Sequence, residues 1–398
     1  MNNILHEAEG LTKELIRIRR YLHSHPGVGF DIADTAAFVA RELEDIGMSP
    51  RKCGRAGITA LLGNNNRHTV LLRADMDALD ISEDSQEPFA SQNGHMHACG
   101  HDMHTAMLLG AARLLKAHEN ELDGCVKLMF QGAEEILSGA SDMISSGVLD
   151  EPQVDTAVMI HVMTGIPIDT GSVIVAPAGV SAPAADMLEI TVRGAGSHGS
   201  MPEKGVDPII TAAYIATALC EINARELSIN NKAVLTLGSF NAGSSANVIP
   251  DTAVIKGSLR AYSDETREML KRRVSEIVSN VSAAFRASAD VRFTSGCPTL
   301  INDAELSVKM QSCMRTLLGE KHAIKASDMG ESSSGSEDFA YVSHKVPSVM
   351  IALAAGDSRR GYEYPLHHPK VRFDEKALPV GAAVYAFAAM KLLSKKGN

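Results

Sequence analysis

Residues 186–296 break the pattern of the chain on either side of them, and that interruption limits the available folds more than any other feature. The block reads as strand 187–193, helix 207–224, strands 233–240 and 252–262, helix 264–287 and strand 290–294. This β-α-β-β-α-β order is the ferredoxin-like pattern, a self-contained layer of two helices on one sheet. Before it, helices at 4–24, 33–47 and 105–118 alternate with apolar runs at 58–62, 69–73, 126–131 and 156–161. After it come a helix at 304–319, a strand at 347–353 and a final helix at 375–393. Such alternation predicts an α/β domain on a mostly parallel central sheet, with the middle block inserted into it. The Ala/Pro/Gly-rich stretch 175–183 and Gly296-Cys297-Pro298 are the expected hinges, because such residues punctuate elements. The expected domains are therefore one made of 1–183 and 298–398 and one of 184–297, inserted.

Charge narrows the function. A formal charge of −10 provides no basic field for nucleic acid or anionic lipid, which argues against both as partners. Hydrophobic residues at 45% and charged residues at 22% fit a water-soluble globular chain, and no apolar run is long enough to span a bilayer. Residues 1–20 read as a polar amphipathic helix with no secretory signal, and six scattered cysteines lack the spacing of a disulfide framework. A reducing compartment, the cytoplasm, is the expected location.

In an open α/β sheet ligands bind beyond the carboxyl ends of the strands, so chemistry is expected in the residues that follow each strand. Asp75-Met76-Asp77 follows the 69–73 strand, Glu134-Glu135 follows 126–131, His161 ends 156–160, and His367-His368 comes by a loop after 347–353. The run from His95 to His104, with Cys99 and His101 inside it, precedes the third helix. Thiolate, imidazole and carboxylate together are the donor set of zinc and its first-row neighbours. Any one of these side chains alone would be a packed or solvated residue; their placement at successive strand ends predicts a metal site. Cys99 and His101, two apart, cannot share a helical face and fit a turn at the helix start, where the N-terminus favours a thiolate. The pair Glu134-Glu135 can divide its labour. One carboxylate binds metal while its neighbour takes a proton from a water whose pKa the metal lowers toward about 7. Taken alone, that pair would be read as a solvated acidic turn.

Together the motifs are recognisable. They are Arg73-Ala-Asp-Met-Asp77-Ala-Leu, Met96-His-Ala-Cys-Gly-His-Asp102, Gly132-Ala-Glu-Glu135, His161, Gly196-Ser-His-Gly199, Asn247-Val-Ile-Pro-Asp251, Ser336-Glu-Asp-Phe339 and Leu366-His-His-Pro369. In these the chain resembles the M20 metallopeptidase family, within it the amidohydrolase branch of hippurate hydrolases, bacterial N-acyl-amino-acid aminoacylases and plant auxin-conjugate hydrolases. The resemblance implies a phosphorylase/hydrolase-like catalytic domain and an inserted lid that commonly builds a homodimer. It also implies two divalent ions per subunit, manganese, zinc, cobalt or nickel, held by Cys99, His101, Glu135, His161 and His367, with Cys99 able to bridge. His367 aligns with the ligand of the branch's Leu-His-Asn-Pro pattern, and His368 stands where Asn is common. Asp75 stands where many members outside the branch have a ligating His, and it is not counted among the ligands.

By the same resemblance Glu134 is the general base and Asp77 the supporting aspartate. His198 matches a histidine that stabilises the developing oxyanion, in some members across the dimer, a contact typically worth roughly 2.7–4 kcal/mol. Asn247 and Arg260 match residues that hold the substrate's carboxylate, a group a guanidinium suits. Residues 332–338 are expected to line the pocket by their family position. The expected activity is hydrolysis of the amide bond of an N-acyl amino acid. Its rivals are a metallo-carboxypeptidase or dipeptidase, a non-catalytic metal- or ligand-binding module, and a hydrolase with Cys99 as nucleophile. The intact Glu134 speaks against the pure binder, and the neighbours His101, Glu135 and His161 look more like a metal site than a triad.

Overall fold

The computed structural model describes residues 3–63, 67–328 and 335–394. The chain separates into two compact units, one of residues 1–181, 301–332 and 338–398, the other of residues 182–300 and 333–337.

The first unit is built on one eight-stranded sheet. Its order is Arg51–Cys53, Gly57–Gly63, Cys125–Gln131, Thr69–Asp75, Thr156–Met163, Ser348–Ala354, Val173–Val175, Ala323–Lys325. The four strands from Cys125–Gln131 to Ser348–Ala354 are mutually parallel, as are Val173–Val175 and Ala323–Lys325; the remaining pairings are antiparallel. Parallel strands covered on both faces need continuous apolar sequence, and every residue of Thr69–Asp75 and Cys125–Gln131 is buried. These two strands pair along their full length, from Thr69↔Cys125 to Asp75↔Gln131, so they end level and release residues 76–77 and 132–135 at the same edge. Helices His101–Ala117 and Ala377–Leu393, apolar nearly all round, pack together and against the sheet. Gly381 permits that approach, since a Cβ there would lie 1.9 Å from Met107 Sδ.

Several elements differ from expectation. The single helix expected at 4–24 is two, Ile4–Gly10 and Thr12–Ser24, broken after a poor helix former, with the Leu11 N–H returning to the Ala8 carbonyl. The third helix starts at His101 rather than at 105. Strands Arg51–Cys53, Val173–Val175 and Ala323–Lys325 and helix Gly139–Ser145 were not expected, because runs so short carry no readable period.

Arg73 fastens the sheet end from inside. Wholly buried, it donates to Asp75 at 2.7 Å, to Asp338 at 2.9 Å and to Gln131 at 3.0 Å. Taking one partner from a buried ion pair strands the other's charge, at about 3–5 kcal/mol. Arg73→Met is expected to lower the unfolding free energy of the metal-free protein by that amount in urea denaturation. A loss under about 1 kcal/mol, the scale of an ordinary substitution, would contradict this role.

The second unit has a four-stranded sheet in the order Ala233–Ala242, Thr252–Ala261, Ala184–Arg193, Ser288–Cys297, antiparallel throughout. With two helices over one face this is the ferredoxin-like arrangement. Helices Pro208–Glu221 and Asp264–Ala284 bury Ile215, Leu270 and Val274 against Leu188, Ile190, Ile255 and Leu259. Each begins on a capping side chain: Asp207 accepts from the Ile209 N–H at 2.8 Å, and Ser263 from the Thr266 N–H at 3.3 Å. No helix among the described residues is long and apolar enough to cross a membrane.

Candidate metal centre

Asp77 organises the first half of the site. Fully buried just past its strand, it accepts the Glu134 N–H on one carboxylate oxygen at 3.0 Å and the Glu135 N–H on the other at 3.1 Å. The preceding Ala133 is at φ 59, a left-handed conformation that turns both glutamates back toward the strand ends. The Asp77 carbonyl also accepts from His101 Nδ1 at 2.8 Å. Asp77 thereby holds three of the expected residues through their backbone or far side, and its own oxygens are used in doing so.

The second half grows from the turn before His101. Gly100, at φ 85, is required there: a Cβ would fall 2.4 Å from Val162 Cγ2. His161 donates from Nδ1 to the Val162 carbonyl at 2.7 Å, and burial pushes its pKa down to about 3, so Nε2 is a free lone pair. That Nε2 lies 3.6 Å from Cys99 Sγ. His367, at φ 65, is tied by its N–H to the Ala98 carbonyl at 2.9 Å, and its Nε2 lies 3.3 Å from the same sulfur and 3.7 Å from Glu135 Oε2. His368 is occupied elsewhere, accepting the Lys370 N–H and stacking on Tyr364.

Two donor groups result, Cys99/His101/His161 and Cys99/Glu135/His367, each with its donor atoms within 4.8 Å of one another. Cys99 is common to both. His101 Nε2 and Glu135 Oε1 are buried and have no hydrogen-bond partner, a condition that costs about 1–3 kcal/mol per group unless something fills it. A divalent ion is the partner that a thiol, imidazoles and a carboxylate at this spacing fit. Glu134, nearly buried, sits within the same cluster as His101 and Glu135, with one oxygen 3.4 Å from the Asp338 N–H.

The metal-free cluster holds protons. Burial raises the Cys99 thiol well above its ordinary range, and Glu135 beside it adds to the effect. Burial likewise raises Glu135 to about 7, with Asp77 and Asp75 adding repulsion against the pull of His101. Burial opposes charge on His101, but Asp75 and Cys99 outweigh it and hold that imidazole well above its usual value.

Asp75 accepts on one oxygen from His104 Nδ1 at 2.6 Å and on the other from Arg73 at 2.7 Å, the second also standing 3.7 Å from His101 Nε2. Burial opposes its charge, yet His101, His104 and Arg73 hold its pKa well below the carboxylate range. His104 was not singled out from the sequence. The available signal was its position three residues after His101, on the same helical face.

In the second unit, His198 and Asn247 are brought together and Arg260 is not. Ser197–His198 pairs with Val248–Ile249 in a short ribbon beyond the Arg193↔Thr252 end of the sheet, and the Asn247 carbonyl accepts the Gly199 N–H. The Ser200 N–H donates to His198 Nδ1 at 3.1 Å, which leaves the proton on Nε2 as a donor on an exposed side chain. Arg260, donating to Ser336 at 2.8 Å, stands eight residues along the strand from Thr252, roughly 26 Å at 3.3 Å per residue. One copy of this unit therefore does not offer Asn247 and Arg260 to the same carboxylate. Of the expected pocket segment 332–338, residues 332–334 lie outside the described residues.

Residues 71–391 match the profile of peptidase family M20/M25/M40. N-acetyl-L-cysteine deacetylase of Bacillus subtilis (strain 168) is 36% identical over 386 residues, 96% of this chain and 89% of the relative. IAA-amino acid hydrolase ILR1-like 2 of Arabidopsis thaliana is 35% identical over 390 residues, 96% of this chain and 86% of the relative. The crystal structure of the Bacillus subtilis YXEP protein, described as a dinuclear metal binding peptidase from the M20 family, matches with a TM-score of 0.74 at 29% identity. The match covers 97% of this chain and 99% of that one. The chain belongs to peptidase family M20/M25/M40. It is a hydrolase of amide bonds of the metal-dependent kind, which sets aside the non-catalytic and cysteine-nucleophile readings.

Proposed function

We propose that the enzyme cleaves the amide bond of N-acyl amino acids. The observation that carries the chemistry is Glu134, its backbone N–H held by Asp77 and its carboxylate in one cluster with His101 Nε2 and Glu135 Oε1, which have no hydrogen-bond partner. Cys99, His101, Glu135, His161 and His367 would hold two divalent ions, with Cys99 shared. When bound, the ions acidify water and polarise the scissile carbonyl. Glu134 takes the proton of the attacking water and returns it to the leaving amine. Nε2–H of His198 donates to the carbonyl oxygen as charge develops there. The guanidinium of Arg260 pairs with the free carboxylate of the amino-acid half. Support for an acyl-amino-acid substrate comes from the two relatives, whose names specify N-acetyl-L-cysteine and an IAA-amino acid.

The separation of Arg260 from His198 and Asn247 extends the proposal to a homodimer, in which each subunit lends His198 and Asn247 to its neighbour's site. Edge strand Ala233–Ala242 of the second unit leaves Val234 and Phe240 exposed at 45% each, as a surface awaiting a partner would. Six free thiols, five of them buried, keep the cytoplasm as the proposed compartment.

The test is amine release from acetyl-, benzoyl- and long-chain acyl-amino acids beside dipeptides, after reconstitution with manganese, zinc or cobalt. Release from acyl-amino acids in preference to dipeptides is expected; the reverse would establish the peptidase alternative. Mixing inactive Glu134→Gln and His198→Ala proteins is expected to regenerate activity, because one site of the mixed dimer then holds both intact residues. No recovery in confirmed mixed dimers would return His198 to its own subunit's site.

A further inference from the structure

We infer that His104, backed by Asp75, is a positioning residue that acts through the backbone of Val162 to hold His161 toward the metal. Strands Thr69–Asp75 and Thr156–Met163 are neighbours, yet they pair only from Val70↔Thr156 to Arg73↔Met159. On its other edge Thr156–Met163 stays paired to Ser348–Ala354 as far as Met163↔Ala354. The N–H groups of Ile160 and Val162, two apart and so directed to one side, therefore outrun their strand partner. Two side chains of the packed helices take them. Tyr385 Oη accepts the Ile160 N–H at 2.9 Å, and His104 Nε2 accepts the Val162 N–H at 2.8 Å. Tyr385 also donates to the Arg73 carbonyl at 2.6 Å, and Thr105 to the Asp75 carbonyl at 2.8 Å. The strands thus part where the candidate metal donors begin, and His104 and Tyr385 bridge the opening.

The hydrogen bonds fix the tautomers. Because His104 Nε2 accepts, its proton sits on Nδ1 and is given to Asp75 at 2.6 Å, while Arg73 neutralises the other Asp75 oxygen. The same Val162 whose N–H is held by His104 accepts, on its carbonyl, the Nδ1–H of His161 at 2.7 Å. Anchoring Val162 therefore anchors the His161 ring with Nε2 3.6 Å from Cys99 Sγ. The His104 and His161 rings also meet edge on at 4.7 Å, which restricts rotation of His161. Asp75, His101 and His104 have ligand spacing among themselves, but both nitrogens of His104 and both oxygens of Asp75 are already bonded. That trio is a hydrogen-bonded anchor and not a third ion site.

The inference rests on the reading of His161 as a ligand, and the experiment separates the two. Cobalt(II) is titrated into metal-free wild type, His104→Asn, His104→Gln, Tyr385→Phe and His161→Asn, with affinity, absorption spectrum and thermal midpoint recorded. Asn keeps a donor for Asp75 but leaves the Val162 N–H without an acceptor; Gln reaches farther and can supply one. His104→Asn is expected to weaken cobalt binding about 10–100-fold and to shift the visible bands, with Gln recovering most of the affinity. Tyr385→Phe, which touches Ile160 and not Val162, is expected to lower the midpoint and leave affinity and spectrum unchanged. Wild-type affinity and spectrum in folded His104→Asn would overturn the inference alone. Wild-type binding by His161→Asn would remove it together with the metal-site reading. Independently of any variant, nitrogen-15 spectra of the metal-free wild type should show both His104 and His161 as Nδ1–H tautomers, and an Nε2–H tautomer at His104 refutes the geometry.

Discussion

Glu134→Gln is expected to load metal as the wild type does and to lose about 10²–10⁴-fold in kcat, the range spanned by general acid–base catalysis. The change is nearly isosteric, and the backbone of residue 134 is fixed independently of its side chain, because Asp77 grips the Glu134 and Glu135 N–H groups at 3.0 and 3.1 Å. An amide oxygen can still accept the Asp338 N–H, which lies 3.4 Å from Glu134 Oε1. What disappears is the ability to take up and return a proton. The loss should therefore fall on kcat with little movement in KM, since proton transfer belongs to the transition state and not to substrate binding. Steady-state kinetics beside elemental analysis of the purified variant reads both quantities. Turnover within tenfold of wild type would show that another group is the base, and loss of metal would make Glu134 a ligand.

The residues of this candidate site were suggested by the sequence because chemistry at a parallel sheet gathers beyond strand ends. Asp77, Glu134 and Glu135 each follow an apolar run that reads as a buried strand, His161, expected at a strand end, lies within one two residues before its last, and the motifs around them match a family. The ferredoxin-like block was legible for a related reason: its strands and helices are long enough to show a period. What stayed hidden depends on register and on contacts between distant segments. Where Thr69–Asp75 stops pairing with Thr156–Met163 is not written in either strand, so neither the bridging of Val162 by His104 nor that of Ile160 by Tyr385 could be read from it. Asn247 and Arg260 were assigned to one carboxylate because matching motifs carry no distances; the pairing of Arg193 with Thr252 and of Ala185 with Arg260 puts them at opposite strand ends. The role of Asp75 likewise follows from its partners Arg73 and His104, which lie on either side of it in sequence and are chosen by the fold.

Cys99→Ala is expected to have the largest effect on metal binding of any single change, because its sulfur is the member common to both donor groups. The loss should exceed the roughly 10–100-fold that an outer partner of a ligand typically contributes, and it should reach both ions. Protons provide a sharper readout than affinity. Ligands must be deprotonated to bind, so a group whose pKa in the metal-free protein lies above the ambient pH releases a proton as the ion enters, and affinity falls as pH falls. Cys99 and His101 both lie well above their usual values, so each holds its proton to higher pH than an exposed thiol or imidazole would. Glu135, at about 7, adds its share as the pH drops through that value. His161, at about 3, and His367, lowered by burial and by His101, are already free of theirs. Wild type should therefore release protons as it loads metal, and more of them as the pH falls through about 7. Cys99→Ala should release fewer than wild type, since the thiol it lacks is a group that burial holds protonated. Calorimetric titration of cobalt in buffers of different ionisation enthalpy counts the protons directly. An equal count in wild type and Cys99→Ala would mean that the thiol never gives up its proton to an ion, and Cys99 would leave the ligand set.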